Sequence, residues 1–501
     1  PGQTGARSAA RHPLMKGQSR FVAHNIAWNL LLSLSSLLFS LLTFPYVTRV
    51  LGVQTNGAIS FASSLVSYFA LFAGLGISTY GVKACAQVKQ DREKLSQVAQ
   101  ELWIISAAAA AIVLGVLYLL LLLVPALHRY RGWMLVYSAN IWLNVLGMNW
   151  MYQGIEKFRF IAIRSLVFKL LSLVLLFIFV RDAQDGLCYA VISVFSSGAG
   201  NLCNAICAHR HIRCRPLSSY QFKRHCKPLA LLFATTLAVN VYSQMDTVML
   251  GLFCGDYATG IYSVAVKIKT ILLSMFSSAS VVMLSRLAAA GSGGEGEVHP
   301  LLQRSYAMTI FITVPVCVYG ILLAQESVVF LSGADFAIAG VPMKILMPTV
   351  VLSALSQIIG SQYSVSAGRE RNLMVAVVSG AAVNLACNAL LIPRFGYNGA
   401  ALGTLIAEAT QCAIQMLLAR EIIQQVFCPQ KLCKVGLAAA VAAALVLLLR
   451  QACAPLGEFK WLMLSALLFG TAYIGILAAV RYDVFVWLKD SLGARKGRCG
   501  E

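Results

Sequence analysis

The chain has 501 residues, of which 59% are apolar and only 12% are charged. A soluble domain of this length is rarely so apolar, so the composition argues against a soluble protein and indicates an integral membrane protein. The net charge of +21 is not gathered into a basic domain interleaved with aromatic residues, and no nucleic-acid partner is expected.

Apolar runs of about 18 to 25 residues, long enough to cross a bilayer as helix, fill nearly the whole chain and predict about fourteen transmembrane helices. The predicted spans are Asn25–Tyr46, Gly57–Tyr80, Val98–Pro125, Trp133–Gln153, Phe160–Val180, Gly186–His209, Pro228–Phe253, Tyr257–Ser285, Ser305–Gln325, Pro342–Ser366, Asn372–Pro393, Gly396–Ala419, Lys434–Arg450 and Trp461–Val480.

The flanking segments indicate topology. Residues 1–14 precede Met15 and look like tag sequence, and the first span lacks a small-residue cleavage site, so it is predicted to stay uncleaved. Most Lys and Arg fall in segments on one side of the membrane if both termini are cytoplasmic, which is the favoured orientation. Residues 481–492 form either a helix on the inner membrane surface or a frayed helix end.

Internal repetition predicts two halves. LGVQTNGAISFA begins at Leu51 and joins helices one and two, whereas LGLFCGDYATGIYSVA begins at Leu250 and joins helices seven and eight. This placement predicts an all-α membrane protein with two pseudo-symmetric six-helix lobes plus two C-terminal helices. The predicted parts are a tag at 1–14, lobes at 15–213 and 228–425, a cytoplasmic linker at 214–227, two additional helices at 426–480 and a cytoplasmic tail at 481–501.

Polar residues recur on single faces of several predicted helices. In helix one they step by three or four residues from Asn25 through Ser36 to Thr43, which places them on one face. Such stripes either bond helices together or line a polar cavity, and their occurrence in both halves favours a shared cavity. The amide residues predicted to face it are Asn25, Asn29, Asn140, Asn144, Asn240, Gln244, Asn384, Asn388 and Gln411.

Embedded cations are stronger evidence of a functional site than polar stripes, because inserting each one at the bilayer centre costs about 2.5 to 3.5 kcal/mol on insertion scales. Lys169 shares a helix face with Ser172 and is predicted to face the cavity. Arg164 either faces the cavity or reaches the lipid headgroups. Lys267 lies on a polar face of helix eight, whereas Lys269 is predicted to point toward an apolar face.

Two embedded acids, Asp246 in helix seven and Glu408 in helix twelve, are either ion-coupling carboxylates or counter-charges for these cations. The closest cysteines, Cys203 and Cys207, have no His or carboxylate at ligand spacing, so neither a metal nor a cofactor is expected. Lys and Arg suit phosphate groups, and amides and hydroxyls suit sugars. A phosphate-linked sugar with its lipid tail in the bilayer therefore fits as substrate.

The stretches NIAWNLLLSLSSLLFSLLTFPYVTRVLGVQTNG, LFAGLGISTYGVK, VYSQMDTVMLG with GIYSVAVKIKTIL, and LIPRFGYNGAALGTLIAE resemble the bacterial polysaccharide (O-antigen-type) flippases. These flippases belong to the multidrug/oligosaccharidyl-lipid/polysaccharide exporter superfamily. The resemblance implies alternating access that moves an undecaprenyl-pyrophosphate-linked oligosaccharide to the outer leaflet of the bacterial inner membrane. It also implies membrane lipids and a polysaccharide polymerase as partners.

The resemblance also suggests a role for Arg49. In the arrangement P-x-x-x-R-x-L-G, formed by Pro45, Arg49, Leu51 and Gly52, it stands where related flippases place a cation near the outer mouth. It is expected either to receive and release the pyrophosphate or to anchor a helix end at the headgroups.

Two other function classes compete with this reading. An ion-coupled drug or metabolite antiporter of the same superfamily shares the fold, but the buried cations argue against it. A membrane glycan polymerase or glycosyltransferase needs a sizeable folded loop or a pair of acid–base carboxylates. The longest predicted outer loop, at 326–341, is short.

Overall fold

Helices make up the described structure. The computed structural model describes residues 11–213, 215, 219–291, 295–452 and 458–484. Within these ranges, side chains are described at Trp28 and from Leu31 onward, except at 234–235, 238–242, 275–298, 451–452 and 458. Every regular element in the described ranges is helical, which confirms the predicted all-α class.

The α-helices of the first half are α1 (Arg11–Gly74), α2 (Ile77–Val88), α3 (Arg92–Leu123), α4 (Arg131–Gly147), α5 (Asn149–Gly154), α6 (Phe158–Phe179) and α7 (Gly186–Cys207). Those of the second half are α8 (Lys223–Phe253), α9 (Gly255–Gly291), α10 (Glu295–Leu322), α11 (Ala324–Ser332), α12 (Gly340–Ser356), α13 (Glu370–Leu418), α14 (Arg420–Val426), α15 (Pro429–Ala452) and α16 (Glu458–Ala479). A π-helix covers Gln357–Ser364, and 3₁₀ turns cover Pro125–Tyr130, Ala183–Asp185, Ala208–Arg210 and Ala334–Ala339.

Nine helical stretches among the described residues are long and apolar enough to cross a bilayer. In Phe158–Phe179 only 22% of the most apolar window is buried, so lipid must cover the remaining apolar surface. The stretches Leu31–Val88 and Glu370–Leu418 hold 58 and 49 residues, each more than twice the length of about 20 residues that one crossing needs. The chain is therefore a multi-pass membrane protein, and the total of fourteen spans stays a prediction.

The connections differ from those predicted. The expected loops between spans are reduced to sharp kinks at Gly52 and Gly396, whose backbone angles are non-helical. The predicted spans two and four are broken as well, at Leu75–Gly76 and at Met148. The predicted outer loop at 326–341 is α11 followed by a 3₁₀ turn. Leu75 stands between Gly74 and Gly76, and glycine disfavours helix locally, whereas Met favours it, so the break at Met148 arises from packing that sequence periodicity does not report.

The repeated joint has the same construction in both halves. Gly52 (φ 72°) and Gly255 (φ 78°) adopt left-handed conformations, which glycine reaches without a Cβ penalty. A second glycine follows each after four intervening residues, at Gly57 and Gly260. A Cβ on Gly57 would lie 1.8 Å from the carbonyl oxygen of residue 256, and one on Gly260 would lie 2.1 Å from that of residue 53. The equivalent positions of the repeat therefore pack against each other reciprocally.

The chain forms two compact units. Of the described residues, the first unit contains those up to Thr43 together with 62–240, and the second contains Phe44–Phe61 together with those from Val241. The segment 44–61 joins the second unit because Phe44 packs on a buried apolar cluster that includes Tyr262. The lobe boundaries given by the sequence stay a prediction.

A buried carboxylate fastens the start of α8 within the first unit. Glu101 on α3 is fully buried, and it accepts hydrogen bonds from the backbone N–H of Gln221 and from Arg224 Nη2, both at 2.6 Å. His225 Nε2 lies 2.8 Å from the same carboxylate, and His225 Nδ1 lies 2.9 Å from the Tyr80 hydroxyl. The end of the predicted linker is thus anchored to α3.

Candidate functional site

Lys169 on α6 contacts the polar stripe of the first helix. Its Nζ donates to Ser36 Oγ at 2.5 Å, while the Ser36 hydroxyl donates to the Leu32 carbonyl oxygen at 2.8 Å. Ser172, three residues further along α6, is fully buried and bonds to the backbone of its own helix. Lys169 makes no salt bridge in the described part of the chain. This half-buried ammonium group therefore has a neutral partner only.

Arg164 points into the first unit, not toward the headgroups. Its Nη1 donates to the Gly200 carbonyl oxygen at 2.5 Å, and its Nη2 donates to Asn149 Oδ1 at 3.1 Å. Asn201 Oδ1 lies 3.3 Å from the same Nη1. In the described structure its partners are carbonyl and amide oxygens, and none is a carboxylate.

A ladder of polar contacts connects α4 with α7. Asn140 Nδ2 donates to Ser197 Oγ, and Asn201 Nδ2 donates to Asn144 Oδ1, both at 3.0 Å. Asn204, one turn beyond Asn201, donates to the Gly147 carbonyl oxygen at 2.7 Å and to Asn149 Oδ1 at 2.8 Å. Sequence reasoning found two members of this ladder and missed those on α7. Their three-residue spacing in GNLCNAIC was the available signal.

Asp246 is the centre of a buried polar cluster in the second unit. Its carboxylate accepts hydrogen bonds from Asn388 Nδ2 and the Tyr262 hydroxyl, each at 2.5 Å, and from the Thr404 hydroxyl at 2.6 Å. Asn388 Oδ1 and Asn384 Nδ2 are buried without partners among the described residues. A buried carboxylate whose partners are all neutral is costly unless its charge is compensated.

This cluster is not a multi-carboxylate metal centre. Among the described residues, no group of three or more His, Cys, Asp or Glu side chains could hold a metal ion. The two asparagines predicted to face sugars, Asn384 and Asn388, are fully buried. Asn388 Nδ2 donates to Asp246 Oδ1 and to Asn384 Oδ1.

Glu408 forms a buried ion pair with Lys269. The distance from Lys269 Nζ to Glu408 Oε1 is 3.3 Å, and the Ser353 hydroxyl donates to Glu408 Oε2 at 2.7 Å. The side chains are 11% and 9% exposed. The prediction that Lys269 points to an apolar face is therefore wrong, because α13 brings a carboxylate to that face. Lys267 is exposed beside Thr270, and the described residues offer it no salt bridge.

Arg49 binds the end of a short helix in the second unit. Its Nη2 donates to the carbonyl oxygen of Phe330, in the last turn of α11. A cation at a helix C-terminus is favourable because the unpaired carbonyl groups carry partial negative charge. The side chain is otherwise exposed, so part of the guanidinium is free to meet another anion.

The remaining predicted amides are only partly described. Gln411 is half-buried on α13 and lies close to Gly380. Gln244 on α8 is half-buried as well. The side chains of Asn25, Asn29 and Asn240 lie outside the described residues, as does most of the predicted surface helix at 481–492.

Residues 22–287, more than half of the chain, match the family described as polysaccharide biosynthesis protein. The chain belongs to that family. It is 23% identical over 392 residues to a putative O-antigen transporter of Escherichia coli (strain K12), covering 77% of this chain and 92% of that protein. It is 25% identical over 176 residues to the probable low-salt glycan biosynthesis flippase Agl15 of Haloferax volcanii, covering 34% of this chain and 37% of that protein.

Solved structures of transporters share the fold of this polysaccharide biosynthesis family member. The lipid II flippase MurJ in an inward closed conformation matches with a TM-score of 0.75 at 15% identity, covering 92% of this chain and 100% of that chain. An inward-facing MATE family multidrug resistance transporter of the MOP superfamily matches with a TM-score of 0.60 at 14% identity, covering 77% of this chain and 95% of that chain. Since its relatives are named transporters and flippases, the chain is a flippase-type transporter and not an enzyme.

The family match includes most of the charged candidates. Arg49, Arg164, Lys169, Asp246 and Lys267 all lie within residues 22–287. The carboxylate that pairs with Lys269 lies beyond this range, on α13.

Proposed function

We propose that this protein moves an undecaprenyl-pyrophosphate-linked oligosaccharide from the inner to the outer leaflet by alternating access. The observation that carries the proposal is Lys169, a half-buried ammonium group held by the hydroxyl of Ser36. A cation that is embedded without a counter-charge favours an anionic ligand, and a pyrophosphate supplies that charge. The names of the relatives, an O-antigen transporter and a glycan flippase, support a lipid-linked glycan.

The cations take different parts in this proposal. Lys169 and Lys267 contact the pyrophosphate, because neither is engaged by a carboxylate in the described structure. Arg164 adds positive charge while most of its N–H groups bind amide and carbonyl oxygens. Arg49, at the end of α11, acts where the pyrophosphate is released. The amides of the first unit, Asn140 and Asn144, bind the sugars.

Asp246 is the proposed coupling carboxylate. Its cluster has one acid, neutral donors and the partnerless Asn388 Oδ1, which suits a proton or a sodium ion. Glu408 is assigned the role of counter-charge to Lys269. An Asp246→Asn variant is then expected to lose the dependence of transport on the ion gradient while it still binds the lipid substrate.

The cellular setting follows from the same proposal. Both termini lie in the cytoplasm, and the protein resides in the bacterial cytoplasmic membrane among anionic lipids. A polysaccharide polymerase that consumes the exported oligosaccharide is the expected pathway partner.

Reconstituted liposomes test the proposal. A labelled undecaprenyl-pyrophosphate oligosaccharide is placed in one leaflet, and its exposure in the other is followed for wild type, Lys169→Ala, Lys267→Ala and the exposed control Lys460→Ala. Each of the first two substitutions removes a charged hydrogen bond, so transport is expected to fall about ten- to hundredfold. The control is expected to match wild type.

Other outcomes would redirect the assignment. No movement of any lipid-linked sugar, together with ion-driven uptake of small organic cations, would identify an antiporter. Transport that survives Arg49→Ala but not Lys169→Ala would remove the release role of Arg49.

A further inference from the structure

Two membrane helices of the first unit are interrupted close to each other. Helix α1 ends at Gly74, and the chain passes through Leu75 (φ 45°) before α2 begins. Helix α4 ends at Gly147 and passes through Met148 (φ 41°) before α5 begins. Positive φ at two non-glycine residues is unusual and concentrates at functional sites. In transporters, interrupted helices commonly frame the substrate or ion site.

A cavity of about 270 Å³ lies between these breaks. Residues that precede and follow both breaks line it, among them Gly74, Ser78, Asn144, Asn149, Trp150 and Gln153. Helices α2 and α5 pack closely beside the cavity, because a Cβ on Gly81 of α2 would lie 2.6 Å from the Trp150 ring of α5. The volume lies just below the range of about 300–1,000 Å³ that is usual for small-molecule sites. It therefore suits one sugar ring and not a whole oligosaccharide.

The lining has unused hydrogen-bonding groups. Asn144 accepts from Asn201 through Oδ1, and its own amide N–H group has no partner in the described part of the chain. The exposed side chains of Ser78 and Gln153 likewise form no hydrogen bond with other described residues. No described residue that lines the cavity carries a charge. An amide can donate and accept at once, as a hydroxyl can, so these groups match a neutral polyhydroxylated ligand.

Asn149 connects the cavity to the half-buried Arg164. Its Oδ1 accepts from Arg164 Nη2 at 3.1 Å and from Asn204 Nδ2 at 2.8 Å, and its Nδ2 donates to Asn201 Oδ1 at 2.8 Å. These bonds hold the Asn149 side chain in one orientation. Arg164 is thus a positioning residue for this wall, through N–H groups that bind amide and carbonyl oxygens.

We propose that this cavity, the sugar pocket, binds one neutral pyranose ring of the lipid-linked glycan during transport. The proposal rests on the flippase function and specifies where a sugar is read. Ser78, Asn144 and Gln153 donate to and accept from its hydroxyl groups, and the pyrophosphate binds elsewhere, at the lysines.

Two probes in liposomes separate the sugar pocket from the flippase function: undecaprenyl pyrophosphate carrying one N-acetylglucosamine, and the same lipid without sugar. Exposure to an impermeant pyrophosphatase outside reports each lipid. Gln153→Ala removes a neutral hydrogen-bonding partner and is expected to slow the sugar-bearing lipid about two- to tenfold relative to the bare lipid. Ser78→Phe fills the cavity and is expected to slow it at least about tenfold. Thr79→Phe, an exposed neighbour outside the lining, is the matched control and leaves the ratio unchanged.

Each result decides a different point. If wild type moves neither lipid, the flippase function itself is overturned. If wild type moves the lipids but Gln153→Ala and Ser78→Phe leave the ratio of the two rates unchanged, or slow both lipids equally, the sugar pocket is overturned and the flippase function stands.

Discussion

Neutralising one member of the buried Lys269–Glu408 pair should destabilise the second unit strongly. Unit charges 3.3 Å apart attract by about 5 kcal/mol at an effective dielectric constant of about 20. Removing one partner of a buried pair costs about 3–5 kcal/mol, because the other charge stays buried without compensation. We expect Glu408→Gln and Lys269→Met each to lower the free energy of unfolding by about that amount.

Reversible unfolding by SDS in mixed micelles measures these changes, and the double variant completes a thermodynamic cycle. Because the double variant leaves no lone charge, its loss should be much smaller than the sum of the two single losses. The exposed pair Lys89–Glu156 is the matched control. Its charges are closer, at 2.9 Å, but its side chains are 39% and 37% exposed, so Lys89→Met should cost no more than about 1 kcal/mol.

Additive single effects, or single effects as small as that of the control, would refute this reasoning. The same double variant also separates structure from coupling. If it transports like wild type, Glu408 acts only as a counter-charge. Loss of ion-driven transport in a stable double variant would instead give Glu408 a coupling role.

Two further substitutions test how the units are built. Gly260→Ala puts a Cβ 2.1 Å from a backbone carbonyl oxygen and should lower the free energy of unfolding by about 1–3 kcal/mol in the same assay. The control Gly436→Ala, with no atom within 4 Å of its Cβ, should leave that free energy unchanged or raise it by about 0.5–1 kcal/mol. Equal effects of the two substitutions would contradict the close packing at Gly260. Glu101→Ala leaves Arg224 and its buried neighbours without a carboxylate and should cost about 2–4 kcal/mol, since Arg224 is 38% exposed and partly screened. Glu93→Ala removes an acid that is 73% exposed and should change stability little, so a similar loss in both variants would refute the anchoring role of Glu101.

Local physics explains why the class of the protein could be predicted from sequence. Transfer of apolar side chains into lipid is nearly additive along a helix, so the length of an apolar run reports a span without knowledge of its neighbours. Helical periodicity also placed Ser36 and Lys169 on polar faces, and the structure brings the two side chains to 2.5 Å. The motif around Pro45 and Arg49 likewise pointed to the family that the comparison confirms.

Helical periodicity and the length of apolar runs could not predict contacts between distant segments of the chain. Periodicity gives the direction of a side chain but not the helix that it meets, which is why Lys269 was assigned to an apolar face although Glu408 lies opposite it, 139 residues away. The carbonyl partner of Arg49 is 281 residues away. At Met148, tertiary packing stabilises a backbone conformation that the residue itself disfavours. The sequence thus determined the membrane class, the repeated joint and the family, whereas tertiary structure alone decided which embedded charges are paired and where a cavity opens.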